Sequence, residues 1–570
     1  MDQYSWFQSY DKGVPQTLQP YAEKTLLDCF REAVGEKPDN PMVLFKGRKV
    51  SYREMQLKSD SLAAALMANG VKKGDVVALI LPNCPQVVYC HLGIWKAGAI
   101  ASPINPLYSA SELEHSLQEC GAKVVICLSP FYKTIKKIQP RTKVRLVISA
   151  EIKDYFPWLL SFAFMLVEEK KGRHKVKMYD GDLRLKYLLR QFRRPRRPEV
   201  RVSPSDPALL LFSGGTTGTT EAAVGTHQSL YIAGLQLTTW VKSIMVPWED
   251  IILATIPMFH VFGNVALMSS AIVNRNPLAL VPNPRDINDL VDTIKKVKPT
   301  FIPGVPTLFV ALCNHPAVKS GKVSFKTAKF CVAGGAPLMT ELRDRFYEVT
   351  GARLFEGYAL TESMLAAVIT PVEGKQKDGA VGLPLPDVIL KIVDAGTGKK
   401  ELATGESGEI IIKAPQMMQG YWQRPKETAD MIRDGWLYTG DIGYLDDEGY
   451  LYIQSRKKHM IKCGGFQVWP RQVEEVLSSH KAVLEVIVAG IPDPYQGEAV
   501  KAWVVLDGIP CTVEELRAYC KERLTGYKVP KHIEIRESLP KSAIGKPLSR
   551  ILLDEEIAKR QQNRAGADHG

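Results

Sequence analysis

The sequence contains no CxxC pair, although ten cysteines are spread over its 570 residues. The histidines do not complete a metal-ligand spacing with them, which argues against a structural zinc site. Scattered, unpaired cysteines are typical of a reducing compartment. The amino terminus carries an acidic residue and no apolar run, which argues against a secretory signal. We therefore expect a cytoplasmic protein.

Low-complexity tracts and short repeats are also absent from the sequence, as is the G-x-x-x-x-G-K-[ST] nucleotide pattern. Helix-turn-helix, zinc-finger and RNP-type patterns are missing, so no nucleic acid partner is expected. The formal net charge of +13 instead favours small anionic ligands such as nucleotides, or an acidic membrane face.

Apolar strands alternate with helical patterns over much of the chain, which predicts an α/β fold with parallel sheet. The strands expected from this pattern lie at 76–81, 100–104, 124–128, 209–212 and 330–333. One α/β stretch ends near residue 150, and a second covers about 206–370.

The pattern changes twice in the second half of the chain. From about 381 to 453, short strands and turns predict a β-rich subdomain. After Arg456, helices at 470–479 and 513–524 and strands at 486–490 and 500–506 predict a small α+β unit. We thus predict a large N-terminal domain over 1–455 and a small, mobile C-terminal domain over 456–570.

Residues 155–167 are apolar nearly throughout, and a cluster of basic residues follows them. Thirteen residues are too few to span a bilayer, which takes about 20. Two interpretations stay open. The segment is either a basic-flanked helix on the surface of a membrane, or a buried helix of the core or of a homodimer contact.

An apolar strand runs into a loop rich in glycine and threonine, formed by Ser213, Gly214, Gly215, Thr216, Thr217 and Gly218. Glycines let backbone N–H groups approach phosphate oxygens closely, and threonine hydroxyls donate further hydrogen bonds. The loop is therefore a candidate phosphate site, although such runs also occur in plain surface turns.

Further motifs follow this loop in a fixed order. They are Pro257-Met-Phe-His260, Ala333-Gly-Gly-Ala-Pro337, Gly357-Tyr-Ala-Leu-Thr-Glu362, Tyr438-Thr-Gly-Asp441, Arg456-Lys-Lys458 and Pro540-Lys-Ser-Ala-Ile-Gly-Lys546. The ordered set resembles the signatures of the adenylate-forming superfamily, from about Thr25 to Leu552. Within it, the chain looks like the long-chain fatty acid–CoA ligases and related acyl-CoA synthetases.

The resemblance implies an AMP-forming reaction that uses ATP, Mg²⁺ and CoA. A fatty acid or another hydrophobic carboxylic acid would attack ATP to give an acyl-adenylate and pyrophosphate, and CoA would then displace AMP. Such a site has to neutralise phosphate charge and orient two nucleophiles in turn.

The resemblance also assigns roles within the nucleotide site. Thr361 would contact phosphate, and Glu362 with Thr216 would hold Mg²⁺, for which hard oxygen ligands are suited. Asp441 would accept hydrogen bonds from the ribose hydroxyls, and Arg456 would contact ribose or phosphate. The other candidates for cofactor binding are Gly335, Ala336, Pro337, Glu356, Gly357, Tyr358 and Ile453.

The same resemblance brings the C-terminal region to the site. Lys546 would bridge the carboxylate and the α-phosphate, a role suited to a long, mobile cation. Lys458 matches the hinge about which the small domain rotates between the two reactions. The catalytic and CoA-side candidates that remain are His260 at the acyl pocket, and Lys462, Gly464 and Gly465 on the face that rotation brings in.

The chain departs from the family pattern at four positions. Glu221 and Ala222 replace a Lys-Gly step after the phosphate loop, Ala359 replaces a glycine, and His459 stands where an aspartate is common. A carboxylate facing pyrophosphate would repel it, so Glu221 either points outward or slows adenylation. Two other functions stay open: acyl transfer to a carrier protein, and an impaired paralogue that binds acyl chains or nucleotide.

Overall fold

The structure, a computed structural model, describes residues 4–171, 174–193, 200–213, 220–365, 367–463, 466–493, 495–542, 545 and 548–567. Its α-helices are Leu26–Glu36, Tyr52–Ala68, Pro85–Lys96, Ala110–Cys120, Ser129–Ile138, Trp158–Lys171, Leu185–Gln191, His227–Trp240, Ser270–Asn274, Ile287–Val297, Pro306–Asn314, Pro316–Lys319, Thr340–Thr350, Pro425–Met431, Pro470–Ser478, Val513–Arg523 and Ser549–Ala567. Several begin at a capping box, as Thr25 and Asp28 show by exchanging side-chain and backbone hydrogen bonds.

One sheet is parallel apart from a hairpin at its edge. Its strand order is Leu183–Arg184, Leu146–Ala150, Val124–Leu128, Val76–Ile80, Ile100–Pro103, Pro207–Phe212 and Ala222–Thr226. The last two strands form the antiparallel hairpin. Central strands are buried along their whole length, which is why the sequence shows continuous apolar runs there.

A second sheet leads into three of the predicted motifs, at 257–260, 333–337 and 357–362. Its strand order is Leu383–Pro384, Val368–Ile369, Leu354–Tyr358, Phe330–Gly334, Phe301–Gly304, Ile252–Ala254, Leu278–Leu280, Pro41–Phe45 and Arg48–Ser51. The strands from Leu354–Tyr358 to Pro41–Phe45 are parallel to one another. A common hydrophobic core joins this sheet to the first one through buried residues such as Leu79, Trp95, Trp240 and Phe301.

Two smaller sheets follow in the chain. The β-rich one contains Ile389–Val393, Gly408–Lys413, Ile432–Arg433, Trp436–Leu445 and Leu451–Arg456. The last one contains Ile461–Cys463, Phe466–Val468, Val483–Asp493, Gly497–Leu506 and His532–Ile535. A short 3₁₀ turn, Lys457–His459, connects these two sheets.

The predicted α/β class and the individual strands are confirmed, but the two α/β stretches of the sequence do not correspond to the two sheets. The early strands Pro41–Phe45 and Arg48–Ser51 belong to the second sheet, whereas the later hairpin of Pro207–Phe212 and Ala222–Thr226 belongs to the first. Strand order is set by pairing between distant segments, which local hydrophobic patterns do not encode.

The apolar segment at 155–167 forms the turn Ile152–Tyr155 and the helix Trp158–Lys171. The described side chains of this helix are mostly exposed, so its interpretation as a buried core helix is wrong. In the part of the chain that the structure describes, no helix is both long and apolar enough to cross a membrane.

A π-helix, Phe262–Ser269, follows the predicted motif at 257–260. Such helices are rare and are often found at functional sites. Gly263 at its start packs against the preceding backbone, and a Cβ there would lie 2.2 Å from the carbonyl oxygen of Pro257. Only glycine therefore allows this loop and the π-helix to fold together.

We expect Gly263→Ala to destabilise the large domain by about 1–3 kcal/mol, because the added methyl group has to displace backbone. The matched control is Gly35→Ala, where the new Cβ meets nothing within 4 Å and lies in the helix Leu26–Glu36. That control should leave stability unchanged or raise it by up to about 1 kcal/mol. Calorimetric melting of both variants checks this; equal melting temperatures would contradict it.

Candidate functional site

The candidate site lies at the carboxyl ends of neighbouring parallel strands in the second sheet. Phe301–Gly304, Phe330–Gly334 and Leu354–Tyr358 are adjacent and parallel, so the residues that follow them meet at one edge. Ligands in open α/β sheets bind at this kind of edge. The fold thus brings together the segments that follow Gly304, Gly334 and Tyr358.

A flat shelf is formed where two of these strands end. Gly334 and Gly357 are register partners on adjacent strands. A Cβ on Gly334 would lie 3.1 Å from the Phe262 ring and 3.2 Å from the Gly357 carbonyl oxygen. Gly335 and Pro337 follow the shelf and are exposed. Gly334 therefore allows the two strand ends and the Phe262 ring to pack closely, and the adenine slot beside them stays a prediction.

Asp441 is the best-anchored carboxylate of the site. The Tyr358 hydroxyl donates to its Oδ2 at 2.7 Å, and the Arg456 Nε lies 2.8 Å from its Oδ1. Burial and the Asp441 charge raise the pKa of Tyr358, so its hydroxyl stays protonated and donates. Each carboxylate oxygen keeps a second lone pair, which leaves Asp441 able to accept from two ribose hydroxyls.

Glu362 is held by a residue that the sequence analysis missed. The Tyr421 hydroxyl donates to Glu362 Oε1 at 2.9 Å, and it also interacts with the side chain of Ser213. Tyr421 therefore connects the start of the predicted phosphate loop with the predicted metal ligand. Gly420, whose φ is 141°, directly precedes Tyr421. That glycine was the one signal in the sequence for a turn at this position.

The described residues offer Mg²⁺ a single carboxylate ligand rather than a cage. No group of three or more His, Cys, Asp or Glu side chains that would cage a metal occurs among the described residues. Mg²⁺ is usually held by one or two carboxylates together with substrate phosphates and water. Glu362, only 8% exposed, fits that mode as a single hard-oxygen ligand beside a phosphate loop. The second predicted ligand, Thr216, lies outside the described residues.

The phosphate loop is described only at its two ends. Gly214, Gly215, Thr216, Thr217 and Gly218 lie outside the described residues. Ser213 is buried, and its backbone N–H donates to the carbonyl oxygen of Glu221 at 2.8 Å, which closes the hairpin beneath the loop. The loop therefore starts and ends beside Glu221.

Glu221 has an unfavourable electrostatic environment. Burial raises the pKa of its carboxyl group, the carboxylates of Glu427 and Glu362 raise it further, and Arg424 lowers it only in part. The Glu221 carboxylate is thus electrostatically coupled to Glu362, the predicted Mg²⁺ ligand. A carboxylate at this place adds negative charge to a site that has to accept pyrophosphate.

A buried polar network, which the sequence analysis missed, supports the loop that carries His260. Asn83 donates from Nδ2 to the carbonyl oxygens of Ala254 and Ile256, at 2.8 and 2.9 Å. Asn264 Nδ2 lies 3.0 Å from His91 Nε2 and donates to the Met258 carbonyl oxygen at 2.9 Å. These bonds fix the loop that carries His260.

His91 is neutral in this network. Its Nδ1 lies 2.7 Å from the Val87 carbonyl oxygen, which can only accept, so Nδ1 carries the proton and Nε2 accepts from Asn264. Burial lowers the pKa of His91 to about 4, in agreement with this assignment. A lone buried histidine gives no sequence signal that separates such a support role from packing.

The C-terminal region touches the large domain beside the site. Arg285 Nη2 donates to the Ser542 carbonyl oxygen at 2.8 Å, and Thr307 Oγ1 donates to that of Gly545 at 3.2 Å. Thr307 directly follows the strand end at Gly304–Val305. Lys546, the predicted adenylation lysine, is next to Gly545 in sequence but lies outside the described residues.

A buried charge also joins the two regions. Arg471, at the start of the helix Pro470–Ser478, places Nη2 3.8 Å from Glu356 Oε2 and donates from Nη1 to the Ile453 carbonyl oxygen at 3.1 Å. Glu356 accepts from the Leu338 N–H at 3.2 Å. Both Glu356 and Ile453 were predicted nucleotide-site residues, whereas Arg471 was missed because an isolated arginine carries no pattern.

The remaining candidates lie on the connection and the last sheet. Lys458 belongs to the 3₁₀ turn Lys457–His459 between the two small sheets. Lys462 is exposed on the strand Ile461–Cys463, a different sheet from that of Asp441. Gly464 and Gly465 lie outside the described residues. The structure therefore does not bring this group to the nucleotide shelf.

Comparison with known proteins agrees with this geometry. Residues 30–422 match the family model described as AMP-binding enzyme, and residues 472–546 match the AMP-binding enzyme C-terminal domain. A long-chain-fatty-acid–CoA ligase of Bacillus subtilis is 38% identical over 97% of this chain and 98% of its own. A 4-coumarate–CoA ligase of Nicotiana tabacum is 30% identical over 92% and 93%.

Solved structures show the same fold. ATP-bound MatB from Rhodopseudomonas palustris superimposes with a TM-score of 0.79 at 25% identity, covering 93% of this chain and 98% of its own. The chain belongs to the AMP-binding enzyme family. The resemblance inferred from the ordered motifs is thereby confirmed.

We expect Glu221→Lys to speed pyrophosphate release and lower the KM for ATP. A cation would replace a carboxylate where phosphate charge is bound, and one charge-assisted contact changes a rate by about 10- to 100-fold. Glu427→Lys is the control, because it makes the same change of charge beside the same cluster. Unchanged or slower pyrophosphate release by Glu221→Lys alone would show that Glu221 does not limit adenylation.

Proposed function

We propose that this chain is an AMP-forming acyl-CoA synthetase that activates a medium- or long-chain fatty acid. ATP, Mg²⁺ and CoA are its cofactor and co-substrates. The observation that carries the proposal is the cluster in which Asp441 and Arg456 of the β-rich sheet meet Tyr358 and Glu362 at a strand end of the second sheet. The names of the curated relatives, long-chain-fatty-acid–CoA ligases at 35–38% identity, support the substrate class.

In the first step, a carboxylate oxygen of the acid attacks the α-phosphorus of ATP, and pyrophosphate leaves. Asp441 fixes the ribose, and the Gly334–Gly357 shelf carries the base, so the α-phosphate points toward the loop after Ser213. Glu362 and Thr216 hold Mg²⁺, which neutralises phosphate charge when bound. Lys546 enters between the carboxylate and the α-phosphate, a role supported by the contacts of Ser542 and Gly545 beside the site.

In the second step, the CoA thiolate attacks the acyl carbon and AMP leaves. Lys458 is the hinge about which the residues from 456 onward turn between the two steps, and 1–455 form the stationary domain. Lys462, Gly464 and Gly465 then face the thiol. The exposed position of Lys462 on a separate sheet supports this, because it has to be delivered to the site by rotation.

A hydrophobic acid is supported by the apolar residues that follow His260 in the sequence. The π-helix buries Val265, Ala266, Leu267 and Met268, and the strand end at Gly304 packs on Phe309. No described side chain among these carries a charge that would bind a polar substrate group. One methylene in such a pocket changes the binding free energy by only about 1–3 kcal/mol. The preferred chain length is therefore determined by assay.

The test is AMP release that depends on both ATP and CoA, across straight-chain acids from acetate to stearate with Mg²⁺ present. We expect a clear optimum at medium or long chains. Turnover only when a carrier protein replaces CoA would assign the acyl group to that acceptor. ATP binding without turnover of any acid would favour an impaired paralogue, for which the charge of Glu221 is the specific observation.

The two-step assignment makes a separable prediction. Lys546→Ala should slow acyl-adenylate formation by about 100- to 1,000-fold, yet leave thioester formation from supplied acyl-adenylate near the wild-type rate. Lys541→Ala is the control, since Lys541 lies in the same segment and pairs with Glu485 at 2.6 Å. Equal loss of both half-reactions by Lys546→Ala would contradict the domain-rotation assignment.

A further inference from the structure

The helix Trp158–Lys171 turns its apolar face away from the protein. Its exposed side chains are Trp158 at 77%, Leu159 at 62%, Leu160 at 40%, Phe162 at 57%, Met165 at 43% and Leu166 at 67%. A surface helix normally buries its apolar stripe and exposes polar residues. A contiguous exposed apolar face of this kind marks an interaction surface.

The opposite side of the helix explains how it is attached. Phe164 packs edge-on against Phe156, with ring centroids 5.4 Å apart, and Phe156 stacks on Phe45 at 5.9 Å. Positions 158, 162, 165 and 166 point away from this anchor, as the helical period requires. The orientation is therefore fixed by aromatic packing, and the apolar face is presented outward on a supported helix.

Positive charge is concentrated directly after this helix. Residues 170–201 contain thirteen Lys and Arg against three Asp and Glu, a formal net charge of +10 in a chain whose total is +13. Lys175, Lys177, Lys186, Arg190 and Arg193 are exposed.

Two contacts show that this basic stretch lies beside the helix. The His174 ring is 4.9 Å from that of Phe164, and Lys186 pairs with Asp154, just before the helix, at 2.9 Å. Parts of the basic stretch therefore lie next to the helix and to the turn before it.

We propose that this apolar face and its basic flank bind the surface of a bilayer that contains anionic lipids. Nine residues from Trp158 to Leu166 extend about 13 Å, which suits insertion at the level of the headgroups and is far too short to span. The flanking cations attract anionic headgroups at about 1 kcal/mol each. Aromatic residues with a polar edge, such as Trp158, are favoured at this depth.

A second copy of the chain is a poorer occupant for the same surface. A two-fold contact through this helix would place each basic stretch near its own equivalent in the partner, because such an interface pairs a patch with itself. The resulting repulsion between like charges opposes that dimer. An anionic bilayer instead satisfies the apolar face and the charge together.

The experiment is sedimentation of the full chain with vesicles of phosphatidylcholine, with and without phosphatidylglycerol. We expect at least about tenfold tighter binding when phosphatidylglycerol is present, and weaker binding as salt is raised. Phe162→Glu should reduce binding by at least about tenfold. Tyr347→Glu is the matched control, because Tyr347 is also aromatic and equally exposed at 57%. Trp158→Ser provides a second variant if Phe162→Glu does not fold.

Charge is tested separately with Lys175→Glu combined with Arg190→Glu, which should abolish the preference for phosphatidylglycerol. Absence of wild-type binding to both vesicles, or equal binding by Phe162→Glu and Tyr347→Glu, would overturn the proposal. So would sedimentation velocity that shows a wild-type dimer dissociated by Phe162→Glu while vesicle binding is unchanged. Vesicle binding requires no turnover, so this result is independent of the test of the proposed function.

Discussion

The Asp441 carboxylate, shared between Tyr358 and Arg456, is the interaction on which the arrangement of the site depends. Tyr358 ends a strand of the large parallel sheet, whereas Asp441 and Arg456 are register partners on two strands of the β-rich sheet. A carboxylate only 4% exposed has to be satisfied by its neighbours. Satisfying it fixes the β-rich sheet against the nucleotide shelf, and Arg456 is also the last residue before the connection to the C-terminal sheet.

The rest of the site is formed by residues that follow the ends of several strands. The glycine shelf and Glu362 share the strand end at Tyr358, Ser213 follows the strand Pro207–Phe212, and the loop of His260 follows the strand Ile252–Ala254. Gly263 and Asn83 hold the loop that carries His260, the proposed acyl-pocket residue. Tyr421 holds Glu362, the proposed Mg²⁺ ligand. These supporting residues are not themselves proposed to contact the substrate. Each of them fixes the position of a neighbouring residue that is.

Sequence reasoning predicted site residues that the structure brings together, and it missed the residues that hold them in place. Ser213, Glu362, Asp441 and Tyr358 belong to motifs with a fixed order, so a single chain suffices to find them. Tyr421, Asn83, Asn264 and Arg471 act through contacts with distant segments, and no local spacing reports such contacts. The same limitation explains why the sequence did not show which strands share a sheet, and why burial of the Trp158–Lys171 helix could not be decided.

Arg471 connects the helix Pro470–Ser478 of the C-terminal region to the strand that carries Glu356 and Tyr358. Any movement that carries the helix Pro470–Ser478 away must separate Arg471 from Glu356 and from the Ile453 carbonyl oxygen. Glu356 is only 7% exposed, and a buried carboxylate that loses its cation costs several kcal/mol until water reaches it. Because Glu356 lies on the strand that ends in Tyr358, a ligand bound at that strand end and the position of this helix would bias each other by the same free energy.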